Sequence, residues 1–404
     1  MFLKINTKIV NIVLILVMLL GFTGCEEAIE PSEVTVNEEL SLANTSFSFD
    51  MLRMLNKEEE DGNVLFSPLS ISIALSMALN GSQGETRDEM VEMLSYQELD
   101  MNSINQSYAD YQNYLDNHKG DTELYLKNSI WIREGEEIKT DYLDVIAKQY
   151  LARLDYLDFN DPDSATAINN WIEEATKGKI SDMIAPPLPS DAVAYLINAI
   201  YFKGDWAEQF DKDSTFDAEF YKQNGQTSTV KMMNDKRTVW YMENENMEAV
   251  RIPYVDENRS MIILLPKETD YIDNLINRLD EKIFSTILES FYEVDDMILQ
   301  IPKFEMEYGT KNLNQSLKNL GMNIAFTSDA DFSGMRDGLY ISNVLHKAFI
   351  EVNEQGSEAA AATVVDLKET AMESPKKFRA DRPFLFLIYD EDSNSILFLG
   401  KYSE

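Results

Sequence analysis

Apolar and polar positions along this chain change their period several times. Leu69 to Leu79 is apolar almost all round, with Ser67-Pro68 before it and Asn80-Gly81 after it. Serine as N-cap and proline at the first helical position start a helix. A short helix without a polar face is a buried one. Thr86-Arg87-Asp88-Glu89 has the form of a capping box and predicts a second helix. Asn169 to Ile180, with Trp171, Ile172 and Ala175, predicts a helix ending at Gly178. Ala192 to Phe202 is an apolar run interrupted by Asn198, and Val193, Tyr195, Ile197 and Ile200 give it the look of a strand buried on both faces. Met261 to Leu265, stopped by Pro266, predicts another strand. Phe384 to Tyr389 and Ile396 to Leu399 flank a polar turn and predict a β-hairpin. Helices dominate early and strands late, which predicts an α+β fold with large sheets. No internal repeat and no long linker follows residue 40, so one domain is expected over 41–404.

The stretch EQGSEAAAATVVDLKET, Glu354 to Thr370, is locally ambiguous. Ala359, Ala360, Ala361 and Ala362 are strong helix formers, whereas Thr363, Val364 and Val365 prefer strands. In an extended chain Ser357, Ala359, Ala361, Thr363, Val365 and Leu367 share one face, which is small or apolar throughout. Glu358, Ala360, Ala362, Val364, Asp366 and Lys368 share the other, which ends charged. That is the period of a strand with one buried face. The stretch follows another strand, whose inward set is expected to be Ala348, Ile350 and Val352. A helix remains locally open.

Charge narrows the partners. Lys and Arg total 35 against 71 Asp and Glu, a formal net charge of −36. Such a field repels polyanions, so nucleic acid is not expected as a partner. The N-terminus reads as a targeting segment: Lys4 and Lys8 precede an apolar Ile9 to Leu20 that is too short to span a bilayer. It ends in Gly21-Phe22-Thr23-Gly24-Cys25, and Cys25 is the one cysteine in the chain. A cysteine there resembles a bacterial lipobox, with Phe22 where leucine is usual. The expectation is a signal peptide over 1–24, a lipid on Cys25, and a flexible acidic tether over 25–40. The protein would then be extracytoplasmic, touching the cell membrane through its lipid only. Secretion into the extracellular space is the alternative.

Catalytic chemistry finds little support. There are two histidines, His118 in a polar loop-like stretch and His346 just ahead of a strand-like run. No G-x-S-x-G is present, no Cys/His cluster suits zinc, and no glycine-rich loop cradles phosphate. Asp390, Asp392 and Asn394 imitate the start of a calcium loop, but Ser395 and Lys401 stand where the glycine and the bidentate glutamate belong. A hairpin turn is expected there. His346 reads as a hydrogen-bonded core residue. No catalytic residue, metal or cofactor is assigned.

Several motifs in order resemble the serpin family of serine protease inhibitors over about residues 41–404. They are Phe66-Ser67-Pro68-Leu69-Ser70, Asn80-Gly81-Ser82-Gln83-Gly84-Glu85-Thr86, Asn198-Ala199-Ile200-Tyr201-Phe202-Lys203-Gly204-Asp205-Trp206, Asp331-Phe332-Ser333-Gly334, His346-Lys347-Ala348 running into Glu354-Gln355-Gly356-Ser357-Glu358, and Phe378-Arg379-Ala380-Asp381-Arg382-Pro383-Phe384. The resemblance implies an α+β serpin fold with three β-sheets, about nine helices and an exposed reactive-centre loop, here about residues 354–380. In that family the loop is cut by a target protease and then becomes a strand of the main sheet. The protein would be bait and spring, not an enzyme.

Carried over residue by residue, the resemblance makes Glu354, Gly356, Ser357, Glu358 and the four alanines 359–362 the hinge, matching the inhibitory pattern. Ser67, Ser70, Asn198 and His346 match a hydrogen-bonded cluster beneath the point where the sheet opens. Trp206, Lys303 and Glu354 match the place where insertion begins. Counting from Glu354 puts the cut between Thr370 and Ala371; counting back from Pro383 puts it between Met372 and Glu373; Lys368 is a lesser candidate. Thr370 or Met372 suits elastase-, chymotrypsin- or subtilisin-like proteases, and Lys368 a trypsin-like one, with cysteine proteases as a further class. A monomer is expected. The competing expectation is a non-inhibitory serpin, acting as a substrate-like or binding protein.

Overall fold

The computed structural model describes residues 36–59, 62–117, 122–189, 192–256, 258–268, 271–357 and 375–404. Fifteen strands and nine α-helices are present among them. In chain order the strands are β1 (Val64–Phe66), β2 (Glu123–Arg133), β3 (Arg153–Leu157), β4 (Ala194–Asp205), β5 (Phe216–Tyr221), β6 (Thr227–Glu243), β7 (Met247–Pro253) and β8 (Arg259–Pro266). They continue as β9 (Tyr292–Pro302), β10 (Phe304–Asn312), β11 (Leu345–Val352), β12 (Gly356–Ser357), β13 (Lys377–Arg379), β14 (Phe384–Asp390) and β15 (Ser395–Tyr402). They form three hydrogen-bonded sheets of nine, four and two strands, the α+β mixture expected from the sequence.

The large sheet runs β1-β15-β14-β8-β7-β6-β9-β13, with β5 also on β6. Its centre is the main core. Every residue of β8, β14 and β15 is buried, as consecutive apolar positions require when both faces are covered. The predicted hairpin is β14–β15, paired from Phe384 with Tyr402 to Asp390 with Ser395.

The predicted buried helix is Pro68–Leu79. The Ser67 hydroxyl accepts from the Ser70 amide at 3.2 Å, a cap that contributes about 1 kcal/mol. The helix packs between β4 and β15, which explains its lack of a polar face.

Three boundaries differ from the sequence reading. The second helix is Gly84–Met93, so Thr86 and Glu89 lie inside it and form no capping box. They cap a neighbouring loop instead: Thr86 Oγ1 accepts from the Asp331 amide, and Glu89 Oε2 from the amides of Asn323 and Ile324. The helix expected over 169–180 is Asp163–Ala175. Its polar start, Asp163-Ser164, hid six residues, and Thr176 Oγ1 bonds back to the Ile172 carbonyl where it stops. The first described helix is Glu38–Glu59, so a tether boundary at residue 40 falls within its first turn. Glu38 and Glu39 sit there at the positive end of the helix dipole.

The remaining strands position the site. The four-stranded sheet is ordered β12-β4-β2-β3, and among the described residues β10 pairs only with β11. Helix Asp163–Ala175 lays Ala165, Ile168 and Ile172 against Trp131 of β2 and Ile197 of β4, a second, smaller core.

Candidate functional site, an open seam

No ladder joins β4 to β11 among the described residues. Instead the chain leaves β11 at Val352, turns over four residues, and comes back as β12 alongside β4. Asn353 N–H donates to the Gly356 carbonyl at 2.9 Å, and Gly356 N–H returns a bond to Asn353 at 3.2 Å. Gly356 and Ser357 then pair antiparallel with Asp205 and Gly204. Glycine is required in this turn. Its φ is +144°, and a Cβ would come within 2.2 Å of the Gly204 carbonyl oxygen.

Trp206 fixes the mouth of the seam. Its ring is buried and stacks on Tyr254 with centroids 4.8 Å apart. Its Nε1–H donates to the Asn353 carbonyl at 3.0 Å, and its amide to the Gln355 carbonyl at 2.8 Å. Glu354 is buried beside it. Its carboxylate accepts from Lys303 Nζ at 3.1 Å and Thr215 Oγ1 at 2.9 Å. Burial pushes this carboxyl up, but hydrogen bonds from its own backbone amide, Lys303 and Thr215 outweigh burial and hold its pKa below the usual value.

Lower down, Ser70, Asn198 and His346 line a cavity of about 170 Å³ between β4 and the approach to β11, walled by Ile71, Leu75 and Leu196. Ser67 N–H donates to His346 Nε2 at 3.1 Å. Burial pulls the imidazole down to a pKa of about 4, so at neutral pH it is uncharged and carries its proton on Nδ1. Asn198 Nδ2 donates to Asn128 Oδ1 at 2.6 Å, and Asn128 in turn to Gln112 and the Tyr150 carbonyl. Asn198 Oδ1 is buried without a partner among the described residues. Unpartnered buried acceptors are rare, and this one sits on a wall of the cavity.

A strap roofs the upper seam. Residues 176–182 follow helix Asp163–Ala175 and cross from one sheet to the other. Lys177 Nζ lies 4.6 Å from the Tyr125 ring of β2, and Lys179 Nζ 5.0 Å from the Phe349 ring of β11. Lys347 of β11 donates to the Ser181 carbonyl at 3.0 Å. A small hollow lies beneath, between Ile200–Phe202 and Phe349–Glu351.

The structure brings Ser70, Asn198 and His346 around one cavity, with Ser67 bonded to His346, and groups Trp206, Lys303, Glu354 and Gly356 at the mouth of the seam. Glu358, the four alanines, Lys368, Thr370, Ala371, Met372, Glu373, Cys25 and His118 lie outside the described residues. The acids that imitate a calcium loop are occupied. Asp390 accepts from Arg259 and Ser393, and Asp392 from Tyr114 and Asn258. No cluster of three or more potential metal ligands occurs among the described residues. The sequence reading missed Asn128. The signal was weak: Asn128 lies between Lys127 and Ser129 in β2, so it does not stand out as Asn198 does in β4, and only the register makes the two partners.

Comparison with known proteins bears on this arrangement. Residues 42–404 match the family described as serpin (serine protease inhibitor). The chain is 35% identical to a leukocyte elastase inhibitor of Xenopus laevis over 381 residues, covering 91% of this chain and 99% of that protein. Its fold is similar to that of a thermophilic serpin, tengpin, in its native state, with TM-score 0.83, 32% identity, and coverage of 92% and 96%. It is also similar to human thyroxine-binding globulin, with TM-score 0.82, 29% identity, and coverage of 90% and 98%.

Proposed function

This chain belongs to the serpin family, whose members are not enzymes, and from that premise we propose that it inhibits serine-type endopeptidases by suicide trapping. The observation that supports the reading is the seam: β12 lies in it beside β4, and among the described residues no ladder closes β4 onto β11 below. Each residue beyond Ser357 steps one place back along β4. In a cut and inserted chain Ala359 would then face Phe202, Thr363 would face Asn198, and Val365 and Leu367 would face Leu196 and Ala194. The face with Ser357 and Ala359 turns inward, and Val365 and Leu367 reach the apolar cavity. Thr363 brings a hydroxyl to the unpartnered acceptor of Asn198.

The chemistry belongs to the protease. Its nucleophile attacks the carbonyl of Thr370 or Met372 and forms an ester. The peptide bond to Ala371 or Glu373 breaks, and the new amine leaves with a proton. The freed strand enters the seam before water can hydrolyse the ester. Ten inserted residues gain on the order of 10–20 ladder hydrogen bonds at about 1 kcal/mol net each. That is comparable with the roughly 5–15 kcal/mol that stabilises a typical domain, enough to drag and distort the attached enzyme.

The test is to mix the protein with elastase, chymotrypsin, subtilisin and trypsin and run denaturing gels, with mass spectrometry of the released peptide. A complex that survives denaturation, with a peptide beginning at Ala371 or Glu373, supports the reading. Clean cleavage without a complex, and no rise in melting temperature on cleavage, rejects it. That second result favours a substrate-like or binding protein, the reading to which the likeness to thyroxine-binding globulin points. The proposal extends to location. A lipid on Cys25 would hold the inhibitor at the outer side of the cell membrane, and Cys25→Ala should then release it into the medium.

A further inference from the structure

Along β6, Arg237, Val239 and Tyr241 are buried in alternation with exposed Thr238 and Trp240. Placing a guanidinium at an inward position is expensive unless its donors are filled. Nε of Arg237 donates to Asp235 Oδ2 at 3.0 Å, Nη2 to the Gln209 carbonyl at 3.0 Å, and Nη1 to the Glu208 carbonyl. The guanidinium carbon lies 4.2 Å from the centroid of the Phe210 ring. Beside its carboxylate partner, then, this side chain holds two backbone carbonyls and a ring of one short segment.

That segment is where the chain leaves β4 on its way to β5. Ala207 to Asp211 belongs to no helix or strand, so no ladder holds it in place. It nevertheless carries part of the seam's mouth. Phe210 N–H donates to the Glu354 carbonyl at 2.7 Å, as Trp206 N–H does to the Gln355 carbonyl at 2.8 Å. The Phe210 ring is buried between the Arg237 guanidinium and the Trp206 ring, whose centroid is 6.4 Å from its own. A line of contacts therefore runs from the large sheet, through Arg237 and Phe210, to the turn that seats β12 on β4.

We propose that Arg237 is a positioning residue for strand entry: by clamping Glu208, Gln209 and Phe210 it holds the turn 353–356 in register on β4, so that entry starts from a pair already formed. The inference rests on the inhibitory reading of the seam. Arg237 acts through Phe210 and not on the bait itself. Its effect falls after the cut, when entry of the freed strand competes with hydrolysis of the ester. Loss of one net hydrogen bond from the seated start slows entry about fivefold. Lysine replaces the clamp only in part, because a compact ammonium cannot span two carbonyls and cover a ring at once.

The test mixes wild type, Arg237→Met, Arg237→Lys and Asp235→Asn with the protease that scored in the gel assay. Two quantities are read: the rate at which intact chain disappears, and the ratio of free cleaved protein to covalent complex. Arg237→Met should lose intact chain at the wild-type rate, because the bait is unchanged, and should raise the ratio about fivefold. Arg237→Lys should fall between, and it carries the comparison if Arg237→Met does not fold. Asp235→Asn keeps both carbonyl bonds and should match wild type. A role confined to stability would lower the melting temperatures of the uncut and cleaved forms and leave the ratio unmoved. That result, or an equal rise in Asp235→Asn, would overturn the clamp. Hydrogen exchange on the uncut protein gives a readout that needs no protease. The Trp206 and Phe210 amides should exchange faster in the arginine variants than in wild type, while those of β8 stay unchanged. If wild type traps no protease, the inhibitory reading fails first, and the clamp is judged on this exchange alone: unchanged rates at Trp206 and Phe210 reject it.

Discussion

The amide of Ser67, at the cap of a buried helix, donates to Nε2 of His346 on β11 across 3.1 Å. The bond requires that nitrogen to be unprotonated, and burial keeps it so, with a pKa of about 4. The unfolded imidazole titrates near 6.5. Between about pH 6.5 and 4 the unfolded chain takes up a proton that the folded chain refuses, so stability falls as pH drops through that window. The shift corresponds to on the order of 3 kcal/mol. Thermal melts at pH 7 and pH 5 should show a larger drop for wild type than for His346→Gln. Equal drops would mean that this imidazole is not the sensor.

Gly356 is the second test. Gly356→Val puts a Cβ against the Gly204 carbonyl in a backbone conformation that valine rarely adopts. β12 should lose its place on β4. The uncut protein should stay folded, while the melting temperature of the cleaved form drops towards that of the uncut one. A cleaved variant as heat-resistant as cleaved wild type would show that the seam opens elsewhere.

At the mouth, Lys303 and Glu354 should not be equivalent. The lysine side chain is 44% exposed and the glutamate 6%. Lys303→Met should cost under about 1 kcal/mol, the usual range for a solvent-screened pair. Glu354→Ala removes acceptors from both Lys303 and Thr215 and should cost about 1–3 kcal/mol. The glutamate's contribution is present above its unfolded pKa and fades as pH falls through its lower folded value. Urea unfolding at pH 7 and pH 4 checks both statements.

Away from the seam, Arg259 and Asp390 are both fully buried and 2.7 Å apart. Asp390→Ala leaves a buried guanidinium short of a partner and should cost about 3 kcal/mol or more. The double variant Arg259→Met, Asp390→Leu should cost far less than the single one. A double variant as unstable as Asp390→Ala would point to shape and not charge.

Much of this was legible in the sequence because it is local. The helix after Ser67-Pro68 and the hairpin of β14 and β15 follow from caps, periods and turn residues within a short window. Ends set by distant partners were not. Thr86 and Glu89 look like a capping box, yet their acceptors go to Asp331, Asn323 and Ile324, which no local rule can see. The seam itself was not legible from pattern. It is a pairing between β4 and β11 that the described residues lack, in strands far apart in the chain, and nothing in either strand's composition marks a side left open.

The strap over the upper seam has a kinetic meaning. Lys177 grips one sheet and Lys179 the other, while Lys347 of β11 donates to the strap at the Ser181 carbonyl; the two ring contacts are worth about 0.5–1 kcal/mol each where water has access. On the proposed inhibitory reading, a strand threading the seam would pass under this bridge and loosen whichever grip gives first. Contacts so weak break and reform quickly. They would then govern how fast a strand enters and not how stable the product is, which is the quantity that matters if the strand must enter before an ester is hydrolysed.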